Sequence, residues 1–182
     1  MTTALLTLHM QNGVVGGYGA AGLRAAEQLR RASVAARDHG LPVIHVRMAF
    51  RSGLADVVEA NRSNPFLAGF VDGTPTAAVD DALASAPTDL DVVAKRASAF
   101  KGSDLMTLLS SLGVSDLVLA GIGTSGVVVA TVIEAADLDF GVTVLEDGCT
   151  DPDEQVHRVL LDKVIAVRAN VCTVDDWITT LH

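Results

Sequence analysis

The sequence predicts an α/β protein: a three-layer α/β/α sandwich on a central, mainly parallel sheet. Three observations carry this. Short apolar runs alternate with stretches of helical period along the whole chain, and that alternation gives parallel pairing through right-handed crossovers. The runs are nearly continuous in apolar residues, as strands are when helices cover both faces. Glycines and capping residues punctuate the helical stretches.

The elements follow in order. Ala4–Leu8 is the first strand. Leu23–His39 spaces Ala, Leu and Arg as a helix does and stops at Gly40. Pro42–Met48 is the second strand, followed by a loop rich in Gly, Asn and Pro over 49–75. A short helix over Ala77–Ala86 precedes strand Asp91–Ala94. Ser103 caps a helix that ends at Leu112, before Gly113. Leu117–Gly121 is a strand and Gly126–Leu138 its helix; Val142–Leu145 is the fifth strand. Asp151-Pro-Asp-Glu reads as a helix start, with Asp151 the cap and a helix running to Lys163. Val171–Thr173 is a last short strand and Val174–Leu181 a terminal helix.

Residues 1–182 read as a single domain, long enough to bury a core without staples. Apolar residues make up 49% and charged residues 19%, the reverse of a disordered chain. The net charge of −9 repels phosphate backbones, and seven aromatics are too few for a base-stacking platform, so no nucleic acid is expected as a partner. The longest uncharged stretch, Leu117–Ile133, is too short and too glycine-rich for a membrane span. Two cysteines, Cys149 and Cys172, make no disulfide framework, so a cytoplasmic setting is expected.

Open parallel sheets bind ligands beyond the carboxyl ends of their strands. His9, Gln11 and Asn12 follow the first strand, Arg47 and Arg51 close or follow the second, and Lys95 follows the third. Gly121–Val127 follows the fourth strand, and Asp147 and Cys149 the fifth. Lys95 is either an acid, base or anion holder, or a lysine snorkelling out at a strand end. The turn Gly121-Ile-Gly-Thr-Ser-Gly-Val frees N–H groups at a helix start, where an anion or a developing oxyanion can be held. Gly121, Gly123 and Gly126 also spell a dinucleotide fingerprint, with Glu146 where a ribose-binding acid would sit. Against that site, the turn falls late in the chain rather than at the first βα unit. Ser125 does not form a nucleophile elbow, because Val127 stands where the second glycine is needed.

Five segments in order then resemble the isochorismatase-like hydrolases: Leu5–Asn12 (LLTLHMQN), Leu41–Phe50 (LPVIHVRMAF), Val92–Phe100 (VVAKRASAF), Leu117–Asp137 (LVLAGIGTSGVVVATVIEAAD) and Val142–Asp151 (VTVLEDGCTD). The resemblance implies the sandwich already read from the elements. It also implies a catalytic Asp, Lys and Cys, which fall on His9, Lys95 and Val127. Only Lys95 keeps the family residue. Valine forms no acyl-enzyme, so the covalent amidase route is closed at Val127. His9 can still move protons, and beside a lysine it is expected to be neutral. The resemblance further implies an oxyanion hole from the N–H groups of Gly123 and Val127, beside a cis Ile122–Gly123 peptide.

Nicotinamidases of this superfamily carry a metal site with Asp-x-His after the second strand. Here the strand reads His45-Val-Arg47, so His45 is taken as a packed core histidine and no metal or other cofactor is expected. Cys149 lies on the correct rim, but no basic neighbour in sequence lowers its pKa, and Cys172 is read as a core residue.

Two functions are carried forward. The first is a small-molecule enzyme without a covalent cysteine intermediate, in which His9 and Lys95 transfer protons on an anionic or carbonyl-bearing substrate. Gln11, Asn12, Arg47, Thr124 and Ser125 are its candidate substrate contacts. The second is a catalytically silent binding or scaffold protein of the same fold. The large apolar share and the resemblance both imply a homodimer or larger assembly.

Overall fold

The computed structural model describes residues 2–63 and 68–181; part of the loop expected over 49–75 therefore lies outside the described residues. Six strands form one sheet: β1 (Thr2–Leu8), β2 (Val43–Met48), β3 (Leu90–Ala94), β4 (Val114–Gly121), β5 (Gly141–Leu145) and β6 (Asn170–Cys172). Their order is β3-β2-β1-β4-β5-β6, and every pairing is parallel. The helices are α1 (Asn12–Gly17), α2 (Gly19–Asp38), α3 (Leu105–Ser111), α4 (Val129–Asp137), α5 (Glu154–Val159) and α6 (Val174–Ile178). Among the described residues, no helix is long and apolar enough to cross a membrane.

β1 is the centre of the core. Residues 4–8 are all essentially inaccessible, because β2 and β4 flank the strand and helices cover both faces. α2 buries Gly22, Ala25, Ala26, Leu29, Ala32, Ser33 and Ala36. Those positions recur every three or four residues, and their small side chains let the helix lie close to the sheet. The helix ends at Gly40, which takes φ +69° while the Leu41 N–H bonds back to the Ala36 carbonyl at 2.9 Å. α2 packs beside α6, whereas α4 packs beside the segment that continues α5. Right-handed crossovers require this split when the strand order reverses direction between β1 and β4.

Several elements differ from the sequence reading. α1 is missed because three of its six residues are glycine, a composition with poor helix propensity. Packing supplies what propensity lacks: Val15 is buried, and a Cβ on Gly13 would stand 2.4 Å from the Thr76 methyl. The helix expected over 77–86 is two short 3-10 turns, Pro75–Ala77 and Asp81–Leu83, the second capped by the Asp80 carboxylate. Asp153, not Asp151, caps α5, accepting from the N–H groups of Gln155 and Val156. Asp104 precedes α3, and the Ser103 hydroxyl accepts from the Leu105 N–H at 3.3 Å. α4 is entered through a wide π-type turn at Thr124–Val128. α6 stops at Ile178, and Cys172 is only half-buried in β6.

β1 and β4 approach most closely at their carboxyl ends, where Leu8 pairs with Gly121. A Cβ on Gly121 would stand 2.0 Å from the Leu8 carbonyl oxygen and 2.7 Å from the Leu8 Cβ. Gly121→Ala must push the two central strands apart and should cost about 3 kcal/mol, at the upper end of overpacking penalties, in urea unfolding. A loss below about 1 kcal/mol would show that the strand ends are not rigidly apposed.

Candidate functional site

The strand order reverses between β1 and β4, and the chains leaving these strands diverge there. A crevice at such a point is the expected ligand site of an open α/β sheet. A cavity of about 580 Å³ lies at this place, lined by His9, Tyr18, Met48, Phe70, Gly123 and Val127 among others.

His9 is the first residue past β1. Its N–H donates to the Val46 carbonyl at 2.8 Å, and its own carbonyl accepts from the Gln11 N–H at 2.8 Å. These bonds hold it at φ +54°, a left-handed conformation in which His, Asn and Asp are enriched. The residue is 8% exposed, and its Nε2 has no hydrogen-bond partner among the described residues. Burial pushes its pKa down to about 4, so the ring is neutral at physiological pH.

Beyond β4, the Ile122–Gly123 peptide is cis, as the resemblance implied. The N–H groups of Gly126 and Val128 both donate to the Gly123 carbonyl, at 3.1 and 3.4 Å. The Val127 N–H lies between them, and Val127 itself is buried against the cavity. The Ser125 N–H donates to Asp151 Oδ2 at 2.6 Å, so Asp151 pins the glycine-rich turn. Tyr18 faces the same turn: a Cβ on Gly123 would stand 2.8 Å from its hydroxyl oxygen. Burial, and then the charge of Asp151, raise the Tyr18 pKa.

His9, Gly123, Ser125 and Val127 thus line one cavity. Other candidates do not. Lys95 does not line the cavity; its ammonium donates to the Ala49 carbonyl at 2.5 Å and lies 3.7 Å from the Asp56 carboxylate. Gln11 is fully buried, with its amide nitrogen on the carbonyls of Met48 and Ala77 and its amide oxygen on the Met48 N–H. No polar atom of that side chain remains for a substrate. Asn12 donates to the Pro75 carbonyl at 3.0 Å. The Thr124 hydroxyl is buried against His157 Nδ1 at 2.8 Å. Arg47 lies along the β2–β3 edge, where it pairs with Asp91 at 2.6 Å and Asp72 at 3.2 Å.

His45 is a core histidine, as read, but not an apolar one. Its Nδ1 meets the Thr7 hydroxyl at 2.7 Å and its Nε2 meets Asp89 at 3.0 Å. Burial, opposed by Asp89, lowers its pKa. That side chain is committed to packing and does not fit a metal ligand. Among the described residues, no group of three or more His, Cys, Asp or Glu could hold a metal ion. Cys149 is buried and its thiol is pushed up to about 12 by burial, so it supplies no thiolate.

Tyr18, Met48, Phe70 and Asp151 are site features that the sequence reading did not single out. Tyr18 carried a signal: it is the sole tyrosine of the chain, set in Gly16-Gly17-Tyr18-Gly19.

An isochorismatase domain model matches residues 3–176, and the chain belongs to the isochorismatase family of hydrolases. It is 30% identical over 159 residues to a maleamate amidohydrolase of Pseudomonas putida, covering 87% of this chain and 75% of that protein. It is 29% identical over 185 residues to a probable inactive nicotinamidase of Arabidopsis thaliana, covering 96% of this chain and 94% of that one. Among solved structures, an isochorismatase family protein from Burkholderia thailandensis superposes with a TM-score of 0.87 at 26% identity, covering 99% of this chain and 95% of that chain.

Two outcomes follow from this geometry. Gln11→Met keeps the volume but strands one N–H and two carbonyls, and should cost about 2–3 kcal/mol in chemical denaturation. The second concerns acid. Because the folded pKa of His9 lies near 4 and its ordinary value is 6.5, the unfolded chain binds the extra proton between those values. Stability should therefore fall as pH drops from about 6.5 to about 4, with His9 contributing roughly 3 kcal/mol of the loss. NMR titration should show the His9 ring still neutral at pH values where an exposed histidine is charged.

Proposed function

We propose that this protein is a small-molecule enzyme of the isochorismatase family that works without a covalent intermediate, with His9 as the proton-accepting group. One observation carries the reading: His9, buried and neutral and with an Nε2 that has no hydrogen-bond partner among the described residues, lines the same cavity as Val127, the position where the family's cysteine would stand. A thiol nucleophile is absent there, and Cys149 cannot replace it.

His9 accepts a proton or a hydrogen bond; with a pKa near 4 it cannot act as an acid at neutral pH. A base this weak suits substrates whose proton is itself acidic, or is lost as another bond forms. Non-amide hydrolysis, isomerisation, cyclisation and elimination all meet that requirement. The Val127 and Gly123 N–H groups, at the start of the turn into α4, would receive developing negative charge on a substrate oxygen. Lys95, the second proton-transfer group proposed from the sequence, acts here as a positioning residue through the Ala49 carbonyl, one residue past the cavity-lining Met48.

The second reading, a silent binding protein, is favoured by a specific observation: two of the three positions that carry the family's chemistry hold His9 and Val127 instead. Mass-spectrometric screening of small enol ethers, esters and lactones separates the two. On the enzyme reading, turnover survives alkylation of both cysteines and falls by about 10²–10⁴ in His9→Asn, which tolerates the left-handed backbone but lacks a base. Activity should also drop by one protonation step as pH passes below about 4. Turnover unaffected by His9→Asn would remove His9 from the mechanism. In a parallel test, His9→Asp with Val127→Cys should gain an iodoacetamide adduct at position 127, since a thiol at a helix start beside an N–H cluster has a lowered pKa. No adduct in a folded double variant would favour the silent reading.

A further inference from the structure

Among the described residues, no Asp, Glu, Lys or Arg lines the cavity beside His9. Four nearby cations are engaged elsewhere, while Arg62, next to the lining Ser63, is exposed. Lys95 is held by the Ala49 carbonyl and Asp56. Arg51 pairs with Asp56 at 2.9 Å, and Arg96 donates to the carbonyls of Lys95 and Asp56. Arg47 is bound to Asp91 and Asp72. What remains facing the cavity is a neutral imidazole, a phenol, the uncharged polar residues Ser63 and Ser125, and the apolar side chains of Met48, Phe70, Ile122 and Val127. The nearest carboxylate placed at the glycine-rich turn, Asp151, already takes the Ser125 N–H, and its negative charge faces the Tyr18 side of the site.

We infer that this cavity selects uncharged, largely apolar ligands carrying one hydrogen-bonding group for His9 Nε2, and rejects carboxylates and phosphates. The inference deepens the proposed function and rests on its assignment of the cavity as the substrate site. It replaces the sequence-based expectation of an anionic or carbonyl-bearing substrate with its uncharged half. The physical ground is desolvation. An ion entering a pocket without a counter-charge loses its hydration and gains at most hydrogen bonds to neutral groups, a cost that a neutral amide, alcohol or ester avoids. The unpartnered, deeply buried Nε2 acts in the opposite sense. It is a polar atom for which a ligand donor or acceptor restores the missing bond.

The test uses the full chain and a matched pair of probes, benzamide and benzoate, which share size and shape and differ in charge. Isothermal titration near neutral pH should find benzamide at least about tenfold tighter than benzoate. Ser125→Lys adds an ammonium at an exposed lining position and should raise benzoate affinity, narrowing the gap. Gly126→Lys repeats that arm if the first variant folds poorly, since a side chain there meets nothing within 4 Å. Benzoate binding as tightly as benzamide overturns the inference. So does binding of neither probe by a protein with a normal melting transition, or a benzoate affinity that neither lysine variant raises. These outcomes stand apart from those of the proposed function. Turnover dependent on His9 with a preference for anions sinks the selectivity alone. A preference for benzamide with no turnover on any substrate sinks the enzyme reading alone.

Discussion

The burial of β1 between two parallel neighbours is the constraint from which the rest of the molecule follows. A strand inaccessible on both faces and paired on both edges admits little freedom of register, because a one-residue slip would invert every side chain. β2 lies on one side with its crossover on one face; β4 lies on the other with its crossover on the opposite face. The chains leaving β1 and β4 therefore separate just where the backbones are most tightly apposed, at Leu8 and Gly121. The cavity is the space that this separation leaves, and His9 and the turn at 121–127 reach it because they are the first residues free of the sheet.

Charge is distributed so as to leave that space neutral. Arg37 and Asp89 form a bridge of 2.6 Å at the amino end of the sheet, and Asp89 also holds His45. Burial works against the Asp89 carboxylate, but Arg37 and the hydrogen bonds to Ala86 and His45 outweigh it and keep its pKa below the ordinary value. That network ties α2, β2 and the approach to β3 without touching the cavity. Lys95 and Asp56 do similar work between the end of β3 and the following side of the 49–63 loop. Both partners of each pair are largely shielded from water, so removing one would leave an uncompensated charge, and the pairs also fix where the charges are.

The sheet was legible in the sequence because its signal is local: short, largely apolar runs, most of them closed by a polar residue or a glycine. What was not legible depended on contacts between distant segments. α1 has too many glycines to be read as a helix, and only its packing against residue 76 and the side chain of residue 70 makes it one. Asp151 looked like a helix cap because a proline followed it, yet its carboxylate crosses to the Ser125 amide, 26 residues away in sequence. The pocket positions found from the sequence, His9, Gly123, Ser125 and Val127, all sit at strand ends, where topology alone places them. The other candidates, Gln11, Asn12, Arg47, Thr124 and Lys95, do not line the cavity. A polar side chain at a strand end bonds whichever backbone or side-chain group folding brings to it, and no sequence pattern announces which one that is.

The backbone at His9 has a bearing on how this chain could have come to differ from its relatives. A left-handed φ of +54° disfavours β-branched and bulky residues on steric grounds, while Asp, Asn, His and Gly accept it more readily. The strand end thus acts as a filter on the genetic choices available there. Of the residues that pass, Asp and His alone titrate, one as an anion and the other as a neutral base. A single codon position can therefore switch the electrical character of the whole cavity without altering the path of the chain, and any laboratory library aimed at this pocket has only a handful of useful letters at position 9.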